Sequence, residues 1–280
     1  MQVILAKFAG ACYGVQRALD MVDDLLSEDA KVTTLGPLIH NPQVVSKLES
    51  QGVKVSHDAA GIDGGTVVIR SHGVTPQVRS ELERRGLEVA DATCPHVARA
   101  QAGAAELASL GCRVLVVGEA GHPEVEGLVA YARESGAAAD VVLGAEDIPH
   151  GLYDPIGVVV QTTQTRENLD GIVSELEARG LHPIVKDTIC SATRRRQKTA
   201  YELASKVDAM VVIGGRNSSN TTRLSEICAQ VCPRTFHIET ADEVRGLALE
   251  GCESIGITAG ASTPEDQIAE VASILEAKEG

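Results

Sequence analysis

Three cysteines in this chain each stand 24 residues ahead of a glycine that closes a strand-like run: Cys12 with Gly36, Cys94 with Gly118, and Cys190 with Gly214. Between each pair the sequence follows one plan. A helix pattern comes after the cysteine ("GVQRALDMVDDLL", "HVARAQAGAAELASL", "SATRRRQKTAYELAS"), then a short β-branched run ("KVTTLG", "RVLVVG", "AMVVIG"). A polar loop, a second helix and another strand follow, and that strand leaves through "RSHGVTPQ", "QTTQTRE" or "TAGASTPE". In two units a further strand ends in "DATC" or "DTIC". The third runs out of chain, and the N-terminal "QVILAKFAGAC" supplies its missing strand and cysteine. An internal repeat of this kind constrains the architecture more than any single motif.

The alternation of short Val/Ile runs with helical patterns predicts an α/β protein with mainly parallel sheets. Three similar units are expected, over residues 13–94, 95–190, and 191–280 closed by 1–12. Functional groups in open α/β sheets gather at the carboxyl ends of the strands. Three units about a pseudo-threefold axis would therefore bring Cys12, Cys94 and Cys190 to one centre.

Composition narrows the function. A net charge of −14 argues against nonspecific nucleic-acid binding, which needs cations to displace phosphate counterions. No tryptophan and 2% aromatic residues leave no platform for stacking bases. A small anionic ligand is not excluded, because helix N-termini can hold a phosphate in an acidic protein. The apolar runs are too short to span a bilayer and the N-terminus lacks the apolar stretch of a signal peptide. The expectation is a cytoplasmic protein engaging neither membrane nor nucleic acid. Seven cysteines, an odd number in such a chain, make a disulfide scaffold an unfavoured reading.

Three thiolates at helix starts suit an iron–sulfur cluster, since free N–H groups and partial positive charge there stabilise an anion. Such clusters normally take four cysteines, so three would leave one iron open. One cysteine in this setting reads more readily as a core thiol, but three at equivalent positions do not. Cys112, Cys228, Cys232 and Cys252 lack that equivalence. Cys112 and Cys252 read as packed ahead of strands, and Cys228 and Cys232 as core or surface thiols before metal ligands.

A second set lies in the loops. His40, His72 and His122 follow strands and precede the helix-start prolines Pro42, Pro76 and Pro123. With "NSSN" at 217–220 and "GAST" at 260–263 they form a donor set suited to phosphate or diphosphate. Singly, each histidine reads as a capping group, and "NSSNTTR" reads equally as an N-cap cluster. Glu124 has two readings as well: a proton donor tuned by burial, with His122 relaying or holding that proton, or a residue complementing the helix dipole. Glu126 takes the second. Thr162 and Thr163 either reach a substrate hydroxyl or cap the helix near Arg166. Arg194 to Arg196 read as a solvated face or an electron-donor docking patch.

Nine ordered motifs now resemble one family, the 4-hydroxy-3-methylbut-2-enyl diphosphate reductases, over essentially the whole chain. They are "CYGVQRA" (12–18), "GPLIHNPQVV" (36–45), "SHGV" (71–74), "DATCPHV" (91–97), "GHPEVEG" (121–127), "QTT" (161–163), "CSATRRRQ" (190–197), "NSSNTTRL" (217–224) and "TAGAST" (258–263). The resemblance implies a trefoil-like arrangement of three α/β units around a [4Fe–4S] cluster held by Cys12, Cys94 and Cys190. It implies diphosphate ligands at His40, His72, His122, Ser218, Asn220 and Ser262, with Ser219 adjacent. Glu124 would donate the proton and Thr162 position the substrate hydroxyl. The implied reaction is the last step of the non-mevalonate isoprenoid pathway, fed by a one-electron donor such as ferredoxin or flavodoxin. Two departures, "GEA" before "GHPE" and Tyr13 after the first cysteine, touch no implied ligand. The rivals are a noncatalytic iron–sulfur sensor, which needs no diphosphate pocket, and a zinc hydrolase, which needs a compact Cys/His set.

Overall fold

The computed structural model describes residues 1–277, so the last three residues of the expected third unit lie outside the described residues. Twelve strands among them form three four-stranded sheets. The first contains β2 (Val32–Leu35), β3 (Lys54–Ser56), β4 (Thr66–Ile69) and β5 (Glu88–Asp91), in the order β3-β2-β4-β5. The second contains β6 (Arg113–Val117), β7 (Ala139–Val142), β8 (Ile156–Val160) and β9 (Ile184–Lys186), in the order β7-β6-β8-β9. The third runs β11-β10-β12-β1, from β10 (Ala209–Ile213), β11 (Thr235–Ile238), β12 (Ser254–Ala259) and β1 (Gln2–Leu5). All pairings are parallel. The strand order is the same three times, and β1 pairs with β12 from Gln2↔Ser254 to Leu5↔Ile257. The repeat does wrap around the termini.

Helices fall where the repeat puts them. After the cysteines come α1 (Tyr13–Ser27), α4 (Pro95–Ser109) and α7 (Ser191–Ala204). Between the first two strands of each sheet come α2 (Pro42–Ser50), α5 (Pro123–Glu134) and α8 (Ser219–Ala229). The remaining three are α3 (Pro76–Arg84), α6 (Arg166–Ala178) and α9 (Glu265–Ala277). Proline opens α2, α3 and α5, where its fixed φ suits the first helical position and its missing N–H costs nothing.

The central strands are β-branched on both faces because both faces are covered. In the second sheet, Val114 and Val116 pack with Leu107 of α4 and Leu128 of α5, while Leu115 and Val117 pack with Leu169, Ile172 and Leu176 of α6. Each such side chain contributes about 1.5–3 kcal/mol by leaving water. The marker glycines answer to backbone shape and crowding. Gly36 and Gly214 have φ of 76° and 148°, which L side chains rarely adopt. At Gly118 a Cβ would stand 2.6 Å from Val125 Cγ2 and 2.7 Å from Gln161 Oε1.

The chain divides into two compact units. One comprises residues 1–15, 40–44 and 191 onward, and holds the third sheet. The other comprises 16–39 and 45–190, and holds the first two sheets, with α5 packed against both α3 and α4. Among the described residues no helix is long and apolar enough to cross a membrane.

Candidate active site

The strand that precedes each cysteine lies at a sheet edge, and its neighbour in the sheet anchors the loop beyond it. Cys94 N donates to Ser71 O at 2.9 Å, Cys190 N to Thr162 O at 3.0 Å, and Cys12 N to Ala261 O at 3.1 Å. Ser71, Thr162 and Ala261 each stand two residues past the end of β4, β8 or β12, so the anchor recurs in all three sheets. The Ser/Thr-rich strand exits are thus the struts of the cysteine loops. Cys94 is the N-cap of α4, followed by Pro95, and its sulfur makes no capping hydrogen bond.

Burial separates the seven cysteines. Cys12, Cys94 and Cys190 are half-buried, whereas Cys112, Cys228, Cys232 and Cys252 are buried, and none forms a disulfide. Burial, then the adjacent Cys232, pushes the Cys228 thiol up to about 12. Burial, then Asp154, also raises Cys112. Such thiols are poor sources of thiolate. Cys112 and Cys228 are therefore poor donors for an iron–sulfur group, and the donor chemistry fits better the three half-buried cysteines.

Beside Cys190 stands a buried acid. Glu124, in the first turn of α5, is 2% exposed. Its Oε1 accepts from Thr162 N at 2.6 Å and its Oε2 from Thr162 Oγ1 at 2.9 Å. Burial raises its pKa to about 7, against the pull of those two bonds. The carbonyl of the same Thr162 takes the Cys190 N–H, so one residue links acid and cysteine. Thr165, accepting from Asn168 N, caps α6. The capping role entertained for Thr162 and Thr163 belongs to that residue. Glu126, by contrast, is exposed.

His122 is the N-cap of α5, its Nδ1 accepting from Glu124 N at 3.1 Å. In the neutral ring this puts the proton on Nε2 and leaves that nitrogen as a donor. The His72 ring stands edge-on to it at a centroid distance of 5.4 Å. The capping reading of His122 is therefore met through Nδ1.

The other compact unit carries the remaining donors. Ser262 Oγ donates to His40 O at 3.0 Å, and Asn41 Nδ2 to Ser262 O at 3.0 Å. A Cβ on Gly215 would lie 2.7 Å from His40 O, so backbone meets backbone there. Ser218 caps α8, its Oγ accepting from Thr221 N at 3.4 Å, and Ser219 is buried beside it. Asn220 is 4% exposed, yet neither its Nδ2 nor its Oδ1 has a hydrogen-bond partner. An amide buried in that state costs about 1–3 kcal/mol per group, a cost that a polar ligand at the helix N-terminus would remove. The N-cap reading of "NSSN" is right for Ser218 and does not account for Asn220.

Sequence reasoning missed two arginines. Arg196, expected with Arg194 and Arg195 on a solvated or docking face, is 4% exposed and donates from Nη2 to Gly10 O at 2.6 Å, behind Cys12. Arg194 and Arg195 are exposed as expected. Arg17 of α1 reaches Asp91 O at 3.1 Å and Thr93 O at 3.3 Å, behind Cys94. The signal for Arg196 was the helical period: Thr193, Arg196, Gln197, Ala200 and Ala204 form the buried stripe of α7.

Comparison with known proteins identifies the family. A sequence model of the LytB protein family matches residues 3–276. The 4-hydroxy-3-methylbut-2-enyl diphosphate reductase of Trichlorobacter lovleyi is 50% identical over 277 residues, covering 99% of this chain and 98% of its own. The protein of the same name from Pelobacter propionicus is 50% identical over 272 residues, covering 97% and 96%. A solved structure of (E)-4-hydroxy-3-methyl-but-2-enyl diphosphate reductase, described as the terminal enzyme of the non-mevalonate pathway, superposes with a TM-score of 0.72 at 41% identity, covering 99% of this chain and all of that one. The Plasmodium falciparum reductase superposes at 0.90 with 25% identity, covering 98% and 87%. With a full-length family match and relatives half identical from end to end, the chain belongs to the LytB protein family.

Proposed function

We infer that this chain reduces 4-hydroxy-3-methylbut-2-enyl diphosphate to isopentenyl and dimethylallyl diphosphate. The C–O bond of the allylic hydroxyl breaks, two electrons and two protons enter, and the oxygen leaves as water. The observation that carries this reading is Glu124, a buried acid with a pKa of about 7 bound at both oxygens to Thr162. A sensor has no use for such a group, but a reaction that expels hydroxide as water needs a proton source near neutral pH.

Cys12, Cys94 and Cys190, in units spanning 13–94, 95–190, and 191–280 with 1–12, would hold a [4Fe–4S] cluster, which when bound would supply electrons one at a time and a Lewis-acidic iron. The protein's own groups do the rest. His40, His72, His122, Ser218, Ser219, Asn220 and Ser262 hold the diphosphate, which the orphaned Asn220 amide and the Nε2 donor of His122 support. Thr162 aligns the hydroxyl and Glu124 protonates it. The electrons come from a one-electron carrier such as ferredoxin or flavodoxin. Exposed Phe8, with Lys7 at 5.6 Å and Arg195 at 5.3 Å from its ring centroid, supports docking of an acidic carrier near Cys12.

The test is anaerobic. Protein purified without oxygen and given a strong chemical reductant should convert the diphosphate substrate to both products, and Cys94→Ser should lose its iron and its turnover. Bound zinc without iron or sulfide would sink the reading, as would an intact cluster that leaves the substrate unreduced.

A further inference from the structure

Two of the three cysteine loops carry the same device. Asp91, the last residue of β5, and Asp187, just past β9, each stand three residues ahead of a cysteine. In both loops one carboxylate oxygen turns back on the chain. Asp91 Oδ1 accepts from Thr93 N at 2.9 Å and from Thr93 Oγ1 at 2.5 Å, and Asp187 Oδ1 accepts from Ile189 N at 3.3 Å. The other oxygen is met by an arginine of the preceding helix. Arg79 of α3 reaches Asp91 Oδ2 at 2.5 Å, and Arg166 of α6 reaches Asp187 Oδ2 at 2.9 Å. Thr93 and Ile189 directly precede the cysteines, whose own N–H groups are tied to Ser71 O and Thr162 O. Two successive N–H groups are therefore fixed in each loop, which sets φ and ψ of the intervening residue and delivers the cysteine in one orientation.

Stability does not explain these pairs. Arg79 and Asp91 are 38% and 35% exposed, Arg166 and Asp187 53% and 27%, and ion pairs this open add little to a fold. What the two share is their place. The same oxygen holds the loop and the same oxygen meets an arginine, in two sheets of one topology. The loop before Cys12 has no aspartate, and Arg196 binds its Gly10 carbonyl instead.

We propose that Asp91 and Asp187 are positioning residues: each clamps the peptide ahead of a cluster-binding cysteine while an arginine neutralises it. The proposal rests on Cys94 and Cys190 being cluster ligands. Outer partners of metal ligands tune both retention and potential, and loss of one commonly weakens retention by 10–100-fold.

The experiment uses anaerobically purified protein and a matched control. Arg113–Asp140 is an ion pair of similar exposure, 41% and 30%, on β6 and β7, away from any cysteine loop. Asp91→Ala and Asp187→Ala should each lose iron to a chelator about tenfold faster than wild type. Each should also shift the midpoint potential and the electron paramagnetic resonance spectrum of the reduced protein, while Asp140→Asn changes neither. Asp91→Asn keeps the Oδ1 acceptor and should recover part of the retention, and Arg79→Ala should resemble it. Wild-type iron release and spectra in Asp91→Ala and Asp187→Ala would overturn the proposal. So would a drop in the melting temperature of the iron-free chain beyond that of Asp140→Asn, since the role would then be structural. Cys94→Ser separates the two ideas: if it keeps its iron, the ligand assignment falls; if it loses iron while Asp91→Ala does not, only the positioning role falls.

Discussion

A carboxyl that stays protonated close to neutral pH can release a proton where an ordinary, already ionised glutamate cannot. Glu124 is such a group because burial disfavours its anion more than Thr162 favours it. Glu124→Gln keeps the shape and removes the proton, so turnover should fall by about 10²–10⁴ while substrate still binds, as single-turnover kinetics and titration will measure. In the wild type, turnover should decline as pH rises through about 7. Thr162→Val removes the Oγ1 bond that lowers the Glu124 pKa, so the decline should move to higher pH. Stability follows with a definite sign. The folded pKa lies above the ordinary value of 4.5, so the fold carries no penalty for a buried anion below that value, and stability is lost as pH rises through about 7. The loss is roughly 3 kcal/mol, and denaturant midpoints at pH 5 and pH 8 should show it in wild type and not in Glu124→Gln. At this scale the sequence was legible where spacing decides, as with the three cysteines that the repeat sets apart from the other four. It was not legible where neighbours in space decide: three successive arginines look alike until helical period turns Arg196 inward, and nothing in "NSSN" says that Ser218 caps while Asn220 stays without a partner.

Elements place these groups through strand ends. Gly118 closes β6 against Val125 and Gln161, and Gln161 Oε1 accepts from Glu119 N at 3.1 Å in the turn that leads to His122. Gly118→Ala should overpack this corner and cost about 1–3 kcal/mol in denaturant unfolding. Gly171 is the useful contrast. It lies within α6, is exposed, and an added Cβ would meet nothing within 4 Å. Gly171→Ala should stabilise by about 0.5–1 kcal/mol through helix propensity and a less free unfolded chain. The spacing of 24 residues made the elements readable because it counts one helix and one strand in every unit. The anchors between Cys94 N and Ser71 O, or Cys190 N and Thr162 O, were not readable, since a backbone carbonyl carries no residue identity.

The molecule as a whole consists of two compact units, the larger with two sheets and the smaller with the third, closed by β1. Deleting residues 2–5 should unpair the edge of β12 and release the Cys12 loop. Hydrogen exchange should then show lost protection in β10 and β12 and unchanged protection in β6 and β8. Equal loss in all four strands would mean that the units unfold as one. The spacing left the strand order within each sheet open, whereas the repeat made the wrap around the termini legible. The grouping into two units was not, because it depends on which helices touch, as α5 touches α3. The β1–β12 pairing also has a consequence for synthesis. β1 can complete its pairing only after residue 257 has been made, so these contacts, about 250 residues apart in sequence, close late. The loops of Cys94 and Cys190 lie in sheets whose strands are all made by residue 186. Cys12 must wait, and its seat is completed only once β12 and Ala261 have been made. Protease protection of stalled nascent chains should appear in the first two sheets well before it reaches the N-terminal strand.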